Sequence, residues 1–191
     1  MLRLGLDDAG ELLTLQWAAY VPEAIRYHDL AMPPLTQTLG ELHSELADPD
    51  VIALGVRENG RLIGSVRMHR VGDAARLSRL IVAPDRQGEG LGSRLLLAAE
   101  SVFPTTTAIT LFTGEFSERT LELYHRHGYT ETHRTPAHGY YLVHLSKHLA
   151  ELEQADFLRA VAATPWEENL EARSWDEANL VSAMDPWEPE Q

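Results

Sequence analysis

The sequence predicts an α+β fold in which a mixed, mostly antiparallel sheet is flanked by helices. Two β-rich runs, 51–56 and 61–70, are joined by Asn59-Gly60, and Asn-Gly between two strands is the strongest short signal for a hairpin. A glycine-rich turn at 86–93 then separates an apolar strand from a helical pattern. The predicted order is strand, helices, three strands joined by tight turns, helix, strand, helix and two strands.

The first fifty residues are predicted to be mainly helical. Met1–Leu6 alternates weakly and is expected to form a strand, after which Asp7 or Asp8 caps a helix. Pro22 is expected to break this helix and restart it. The helical pieces are therefore expected at about 8–20, 23–30 and 38–46, with a loop at 32–34.

The second half of the domain is predicted to alternate between strands and helices. Strands are expected at 76–82, 106–113, 129–134 and 140–147, and helices at 91–102 and 117–127. Pro104 follows the first of these helices, and Gly128 is the left-handed residue expected just past the second. His138-Gly139 is the expected turn between the last two strands.

Residues 148–191 are predicted to form an acidic, tryptophan-containing helical extension of a domain that spans 1–147. An apolar stripe runs at helical spacing from Leu149 to Val161, and helix-start patterns follow at Thr164-Pro165 and at 174–177. Disordered acidic tails are usually poor in aromatics, whereas Trp166, Trp175 and Trp187 lie here. We therefore expect the extension to dock, and self-packing, a homodimer contact and a lid over the acceptor site stay open.

Composition narrows the function classes. The chain of 191 residues has a net charge of −13 and no cluster of Lys and Arg, which argues against nucleic acid as a partner. It contains no cysteine, which excludes disulfides, thiolate metal sites and an acyl-cysteine intermediate. No apolar run reaches the ~18 residues that a membrane span needs, and no secretory signal is present. We expect a cytoplasmic protein without a membrane partner.

The glycine-rich turn lies between the strand ending at Val82 and a helix, where successive N–H groups can bind phosphate. A P-loop would need Gly-Lys, which the chain lacks, and a Rossmann turn would need glycine at Ser93. The pattern Gln87-x-x-Gly90-x-Gly92 instead resembles the signature of the GNAT superfamily of acetyl-CoA-dependent N-acetyltransferases. The resemblance implies that the pyrophosphate of acetyl-CoA is bound by Gln87, Gly88, Glu89, Gly90, Leu91, Gly92 and Ser93.

A second motif, from Phe116 to Tyr129, resembles the family's capped helix followed by a tyrosine and a Gly-aromatic pair. Ser117 stands where relatives usually have a capping Asn, and we expect its hydroxyl to cap the helix. The resemblance implies that Ser117 also contacts the cofactor. Judged by the order of the helices and strands, the resemblance to the family covers residues 1–147, and it implies a GNAT-like sheet.

The resemblance also implies direct transfer of acetyl within a ternary complex. The strand through Ile81 and Val82 is expected to part from its neighbour, so that the amide of one of them binds the thioester oxygen. Tyr124 is the expected general acid, because its reference pKa of about 10 lies above the value of about 8.5 for the leaving thiol.

The general base is less defined. The strand position where relatives often have a glutamate lies in 75–79, which contains no carboxylate. Glu115 is therefore the first candidate, with His69 and His28 behind it and a water relay as an equal alternative. No metal is expected, because the chain has no H-x-x-x-H or H-E-x-x-H helix pair.

The acceptor is expected to be a primary amine on a small molecule or a peptide. The residues that the resemblance places around it are mainly carboxylates and aromatics, which favour a cationic acceptor. They are Tyr20, Glu23, Tyr27, His28, Glu41, Glu115, Tyr140 and Tyr141. The alternative function is a catalytically degenerate acyl-CoA-binding sensor or interaction module, which the missing strand glutamate and Ser117 favour.

Overall fold

The structure is a computed structural model that describes residues 1–149. Within them, seven strands form one mixed sheet in the order β1-β2-β3-β4-β5-β7-β6. The strands are β1 (Leu2–Leu4), β2 (Val51–Glu58), β3 (Arg61–Val71), β4 (Ala74–Val82), β5 (Ala108–Gly114), β6 (Thr130–Pro136) and β7 (Tyr141–His148). Neighbouring strands are antiparallel except β4 and β5, which run parallel. The predicted mostly antiparallel mixed sheet is confirmed.

The predicted hairpin between β2 and β3 is present. Glu58 pairs with Arg61, so the turn consists of Asn59 and Gly60 alone. Both turn residues are left-handed, with φ values of 48° and 80°. This is the backbone of a type I′ turn, whose twist matches that of the flanking strands.

Helices cover both faces of the sheet. They are α1 (Ala9–Tyr27), α2 (Pro33–Thr36), α3 (Leu39–Ala47), α4 (Leu91–Glu100) and α5 (Glu118–Arg126). On one face, α1 and α3 bury Leu12, Leu15 and Leu42 against Ala53 and Ile63. On the other face, α4 and α5 bury Leu95, Leu96, Ala99 and Tyr124 against Val66, Met68, Leu77 and Leu111.

The predicted break at Pro22 is wrong, because α1 continues through it as one helix of 19 residues. Proline removes the hydrogen bond to the carbonyl four residues earlier, which belongs to Ala18. Ala18 and Pro22 both lie on the exposed side of the helix, where water can bond the freed carbonyl. The predicted loop at 32–34 also differs, since Pro33 begins the short helix α2.

The helices predicted beyond the last strand lie outside the described residues, which end at Leu149. The predicted docking of that extension, as a lid, a homodimer contact or by self-packing, also concerns residues outside the described range. Among residues 1–149, no helix is both long and apolar enough to cross a membrane.

Candidate active site

The central feature of the site is an opening between β4 and β5. These two strands pair only at their first residues, the last pair being Arg76 with Thr110. Beyond that pair β4 continues to Val82 along β3, while β5 continues to Gly114 along β7. The sheet therefore divides into two wings, and one edge of each wing faces the opening.

A β-bulge lies on the β4 side of this opening. Ser65 of β3 pairs with Ile81 and Arg67 pairs with Ser78, so two residues of β4 stand opposite Val66 alone. One of the two, Arg79, is left-handed with φ of 50°. A left-handed arginine carries backbone strain, and such strain concentrates at functional sites.

The register of β4 decides which of its amides face the opening. Ala83 donates its N–H to the carbonyl of Ile63 on β3 at 2.9 Å. Because backbone groups alternate in direction along a strand, Ile81 also faces β3, whereas Val82 and Leu80 face the opening. Of the two amides predicted to bind the thioester, only that of Val82 is directed there, and sequence reasoning had missed Leu80.

The glycine-rich turn follows β4 at the mouth of the opening. Gly88 and Gly90 are left-handed, with φ of 85° and 78°, and a side chain at either position would be strained. Gly92 has an ordinary backbone, and an added Cβ there would lie 3.5 Å from Leu123. The first intrahelical bond of α4 runs from Arg94 to Gly90, so the N–H groups just before Arg94 point out of the helix start.

Side chains of the same turn hold its shape. Gln87 donates to the carbonyl of Val82 at 3.3 Å, which closes the turn onto the end of β4. Glu89 is paired with Arg86 at 2.7 Å, and Arg86 also pairs with Glu58. The side chain of Leu91 is buried in the core, and only its backbone is available to a ligand. Ser93 is half-buried in the first turn of α4.

Tyr124 lies in α5 on the face of the sheet opposite α1. Its side chain is only 4% exposed, and its ring centroid lies 5.6 Å from that of Tyr129. Burial raises the pKa of Tyr124, and the phenol of Tyr20 on α1 adds a smaller contribution in the same direction. Because its pKa is raised, Tyr124 stays protonated at neutral pH.

Ser117 does not cap α5 with its side chain, so that prediction is wrong. Its hydroxyl instead donates to Glu23 of α1 at 2.7 Å and lies 2.8 Å from the hydroxyl of Tyr27. Tyr27 in turn accepts a bond from the N–H of Phe116 at 2.9 Å. In a cap the hydroxyl oxygen would accept an N–H of the first helical turn, whereas here the hydroxyl is oriented toward Tyr27 and donates to the carboxylate of Glu23.

Glu115 is engaged by the neighbouring strand. Its carboxylate accepts the N–H of Tyr141 at 2.8 Å, and its own N–H donates to the carbonyl of Tyr141 at 3.0 Å. Arg134 lies 3.7 Å from the second carboxylate oxygen. Glu115 therefore fixes the start of β7, and one of its carboxylate oxygens is occupied by the backbone of that strand.

The structure brings together some of the predicted acceptor residues. The ring of Tyr27 lies 4.4 Å from that of Tyr140 and 5.5 Å from that of Phe116, and Glu23 lies beside them. Glu41 caps the start of α3 through Thr38, and His28 is exposed just past the end of α1. Neither of these two has a contact with the aromatic group.

Sequence reasoning missed a buried polar network on the α1 side of the sheet. Arg67 of β3 is 0% exposed and donates to Gln16, to Gln37 at 3.3 Å and to Glu45 at 2.7 Å. Glu45 also lies 3.5 Å from His69. The pattern of β3 could have indicated it, since an arginine on the inward face of a central strand needs buried partners.

His69 belongs to this network rather than to the opening. Its Nε2 atom lies 2.8 Å from the hydroxyl of Ser78, and burial lowers its pKa. The lowered pKa makes His69 a weaker base, and its Nε2 atom is engaged with Ser78 and lies near Glu45, which disfavours it as the base of the reaction. Among residues 1–149, no group of three or more His, Asp or Glu side chains is placed to hold a metal ion.

Comparison with known proteins identifies the family. The model of the "Acetyltransferase (GNAT) family" matches residues 11–129. The chain belongs to the GNAT acetyltransferase family. No functionally curated protein matches the chain at a significant level of sequence similarity.

Solved GNAT structures share the fold at low sequence identity. The PaiA N-acetyltransferase of Thermoplasma acidophilum, solved with coenzyme A, has a TM-score of 0.61 and 18% identity, over 76% of this chain and 96% of that one. The ribosomal-protein-alanine N-acetyltransferase of Brucella melitensis has a TM-score of 0.63 and 17% identity, over 78% and 98%. A spermidine N-acetyltransferase chimera that includes Vibrio cholerae sequence has a TM-score of 0.60 and 17% identity, over 82% and 97%.

The turn of this GNAT protein fits a diphosphate group. Its two left-handed glycines leave the space above the backbone open, with no atom within 4 Å of an added Cβ at Gly88 or Gly90. The start of α4 adds outward N–H groups and the positive end of the helix dipole. Arg86 pairs with both Glu89 and Glu58, so it compensates part of the negative charge beside the turn.

Proposed function

We propose that this GNAT protein transfers acetyl from acetyl-CoA directly to a primary amine within a ternary complex. The observation that carries the proposal is the opening between β4 and β5, where we propose that three groups act together. The phosphate-binding turn lies at its mouth, the outward amides of Leu80 and Val82 lie along its edge, and Tyr124 lies on its α5 side.

Each of these groups has a separate task in the proposed reaction. The bound acetyl-CoA supplies an activated acyl carbon and a thiolate leaving group. The turn from Gln87 to Ser93 holds the pyrophosphate, and the amide of Val82 binds the adjoining arm. Leu80 lies farther from the turn, where the acetyl end must lie, so its amide is the better placed to stabilise charge on the thioester oxygen. Tyr124 donates its proton to the departing thiolate.

Cationic acceptors suit the lining that the structure assembles. Asp29 supplies negative charge beside the ring of Tyr140, and Glu23, which is paired with Arg26, lies beside that of Tyr27. The faces of the two rings attract an ammonium group. Arg79 lies near the ring of Tyr20, 5.8 Å from its centroid, and would repel a cation at that end. We therefore propose that a second positive charge on the acceptor extends toward Asp29. Relatives named for spermidine and for ribosomal-protein alanine show that the fold serves small and polypeptide amines.

A thiol-release assay tests the proposed function. Because the chain contains no cysteine, a thiol reagent reports only the free coenzyme A that the reaction releases. We expect release with spermidine and an aminoglycoside that exceeds release with a neutral amino acid, and a preference that weakens at high salt. A salt-insensitive preference for the neutral acceptor would contradict the cationic acceptor and leave acetyl transfer in place.

The alternative is an acyl-CoA-binding sensor without catalysis. The absence of a carboxylate in residues 75–79 of β4 favours it. Calorimetric binding of acetyl-CoA, combined with no thiol release on any amine of the panel, would support the sensor. Thiol release with one amine would exclude the sensor, because a protein that only binds acyl-CoA releases no thiol.

A further inference from the structure

Helix α1 spans the opening between the two wings of the sheet. Tyr20 faces Arg79 of β4, and Tyr27 lies over Gly114 at the end of β5. The two tyrosines are seven residues apart, which corresponds to ~10.5 Å along a helix, or about two strand spacings. Glu23 lies between them on the helix and is therefore held above the opening, on the face opposite Tyr124.

The contact of Tyr27 with β5 depends on a glycine. A Cβ at Gly114 would lie 2.8 Å from Cε1 of Tyr27 and still closer to its hydroxyl end. No side chain fits between this strand and the phenol. The hydroxyl of Tyr27 is thereby placed at the rim of the opening rather than above it.

A directed chain of hydrogen bonds starts at this hydroxyl. Ser117 donates to Glu23 at 2.7 Å, so its oxygen accepts from the hydroxyl of Tyr27, 2.8 Å away. The oxygen of Tyr27 accepts from the N–H of Phe116 and keeps a second lone pair for another donor. Burial raises the pKa of Tyr27, so its proton is in place as a donor at neutral pH.

The carboxylate at the end of the chain can exchange protons with solvent. The side chain of Glu23 is 27% exposed, whereas the residue Ser117 is only 4% exposed. The other oxygen of Glu23 is paired with Arg26 of the same helix. Asp29 accepts a bond from Tyr140 at 3.4 Å, on the far side of the aromatic group. His138 lies 3.5 Å from Asp29 and is a further titratable group near the chain.

We infer that Glu23 is the terminal proton acceptor of the reaction and receives the amine's proton through the hydroxyls of Tyr27 and Ser117. The inference rests on the proposed acetyl transfer and names a base in place of Glu115, whose carboxylate accepts the N–H of Tyr141 at the start of β7. The acceptor ammonium gives one proton to Tyr27, Tyr27 gives its own to Ser117, and Ser117 gives its own to Glu23.

The proton balance closes over the turnover. The neutral amine forms the N–C bond and loses a second proton to solvent, while the C–S bond breaks and Tyr124 protonates the thiolate. Tyr124 regains its proton from solvent, and Glu23 releases the one that it received. One proton is released for each amide and free thiol formed, as the reaction of an ammonium with a thioester requires.

Chemical rescue distinguishes a proton acceptor from a structural carboxylate. We expect Glu23→Ala to lower kcat by about 10²-fold or more, and formate to restore it as its concentration rises, because formate enters the vacated space. Glu23→Gln should be as slow but not restored, since the amide fills that space. Glu122→Ala, on the exposed side of α5, is the matched control. Its kcat should equal that of the wild type both without and with formate.

The outcomes separate the inference from the proposed function. Ser117→Ala, with Glu23 in place, should be slow and insensitive to formate, and melting curves will show that each variant is folded. Wild-type kcat in Glu23→Gln, or a slow Glu23→Ala that formate does not restore, would overturn the relay while acetyl transfer stands. A wild-type protein without thiol release on any amine would instead overturn the proposed function.

Discussion

The buried arginine of β3 gives a stability prediction that the structure makes quantitative. Arg67→Met removes the group that donates to Gln16, Gln37 and Glu45, and it leaves the mostly buried carboxylate of Glu45 without a positive partner, although Gln37 still donates to it at 2.7 Å. Removing one partner of a buried pair costs ~3–5 kcal/mol, and we expect about 3 kcal/mol because Glu45 keeps some contact with water. For a domain of this size that corresponds to a melting temperature lower by ~6–12 °C.

Two further variants make this reasoning refutable in a thermal melt. Arg67→Met with Glu45→Gln removes the unpaired charge, and we expect the double variant to recover most of the lost stability. Arg61→Met is the control, because Arg61 pairs with Asp85 on the exposed surface and should shift the midpoint by less than ~2 °C. Equal melting of Arg67→Met and Arg61→Met, or no recovery in the double variant, would refute the buried pair as the cause.

The remaining predictions concern cofactor, acid and pH. Gly90→Trp should abolish acetyl-CoA binding in calorimetry. Gly72 is also left-handed but lies at the opposite end of β4, so Gly72→Trp is the control and should bind acetyl-CoA normally. Equal affinities of the two variants would contradict the assignment of the turn as the phosphate site. Tyr124→Phe should lower kcat by about 10²–10⁴-fold with little change in acetyl-CoA affinity, and wild-type turnover would exclude it as the acid. Burial raises the pKa of Glu45, but Arg67 outweighs burial and the net pKa is lowered. The stability that this carboxylate contributes is therefore present above about pH 5 and lost as the pH falls through its folded-state pKa. A wild-type advantage over Glu45→Gln that persists in acid would contradict this.

Local signals made the fold and the cofactor turn predictable. Asn59-Gly60 requires left-handed angles at adjacent residues, and the structure has them. The turn from Gln87 to Ser93 lies where the sequence placed it, between β4 and α4. Both features are decided by residues within a few positions of one another, so a single sequence contains the information for them.

The proton relay could not be predicted because its parts are distant in sequence. Ser117 is 94 residues from Glu23 and 90 from Tyr27. From local sequence alone its hydroxyl is a helix cap, and only the packing of α1 against β5 offers it a carboxylate. The wrong prediction at Pro22 also came from missing tertiary context. The site is exposed, which lets the helix continue where a buried site would have broken it.

The parted strands have a consequence beyond room for a cofactor. A fully paired sheet would separate the α1 face from the α5 face by a continuous layer of backbone, and a base on one could not serve the same substrate as an acid on the other. Here the pairing of β4 with β5 ends at Arg76 and Thr110, so beyond that pair no continuous layer of backbone separates the two faces. Glu23 and Tyr124 can therefore act on the two sides of one acyl carbon, the base on the attacking amine and the acid on the leaving sulfur. The bulge at Arg79 changes the register of β4 against β3 beside the opening. In the proposed mechanism this bulge therefore contributes to catalysis together with Tyr124.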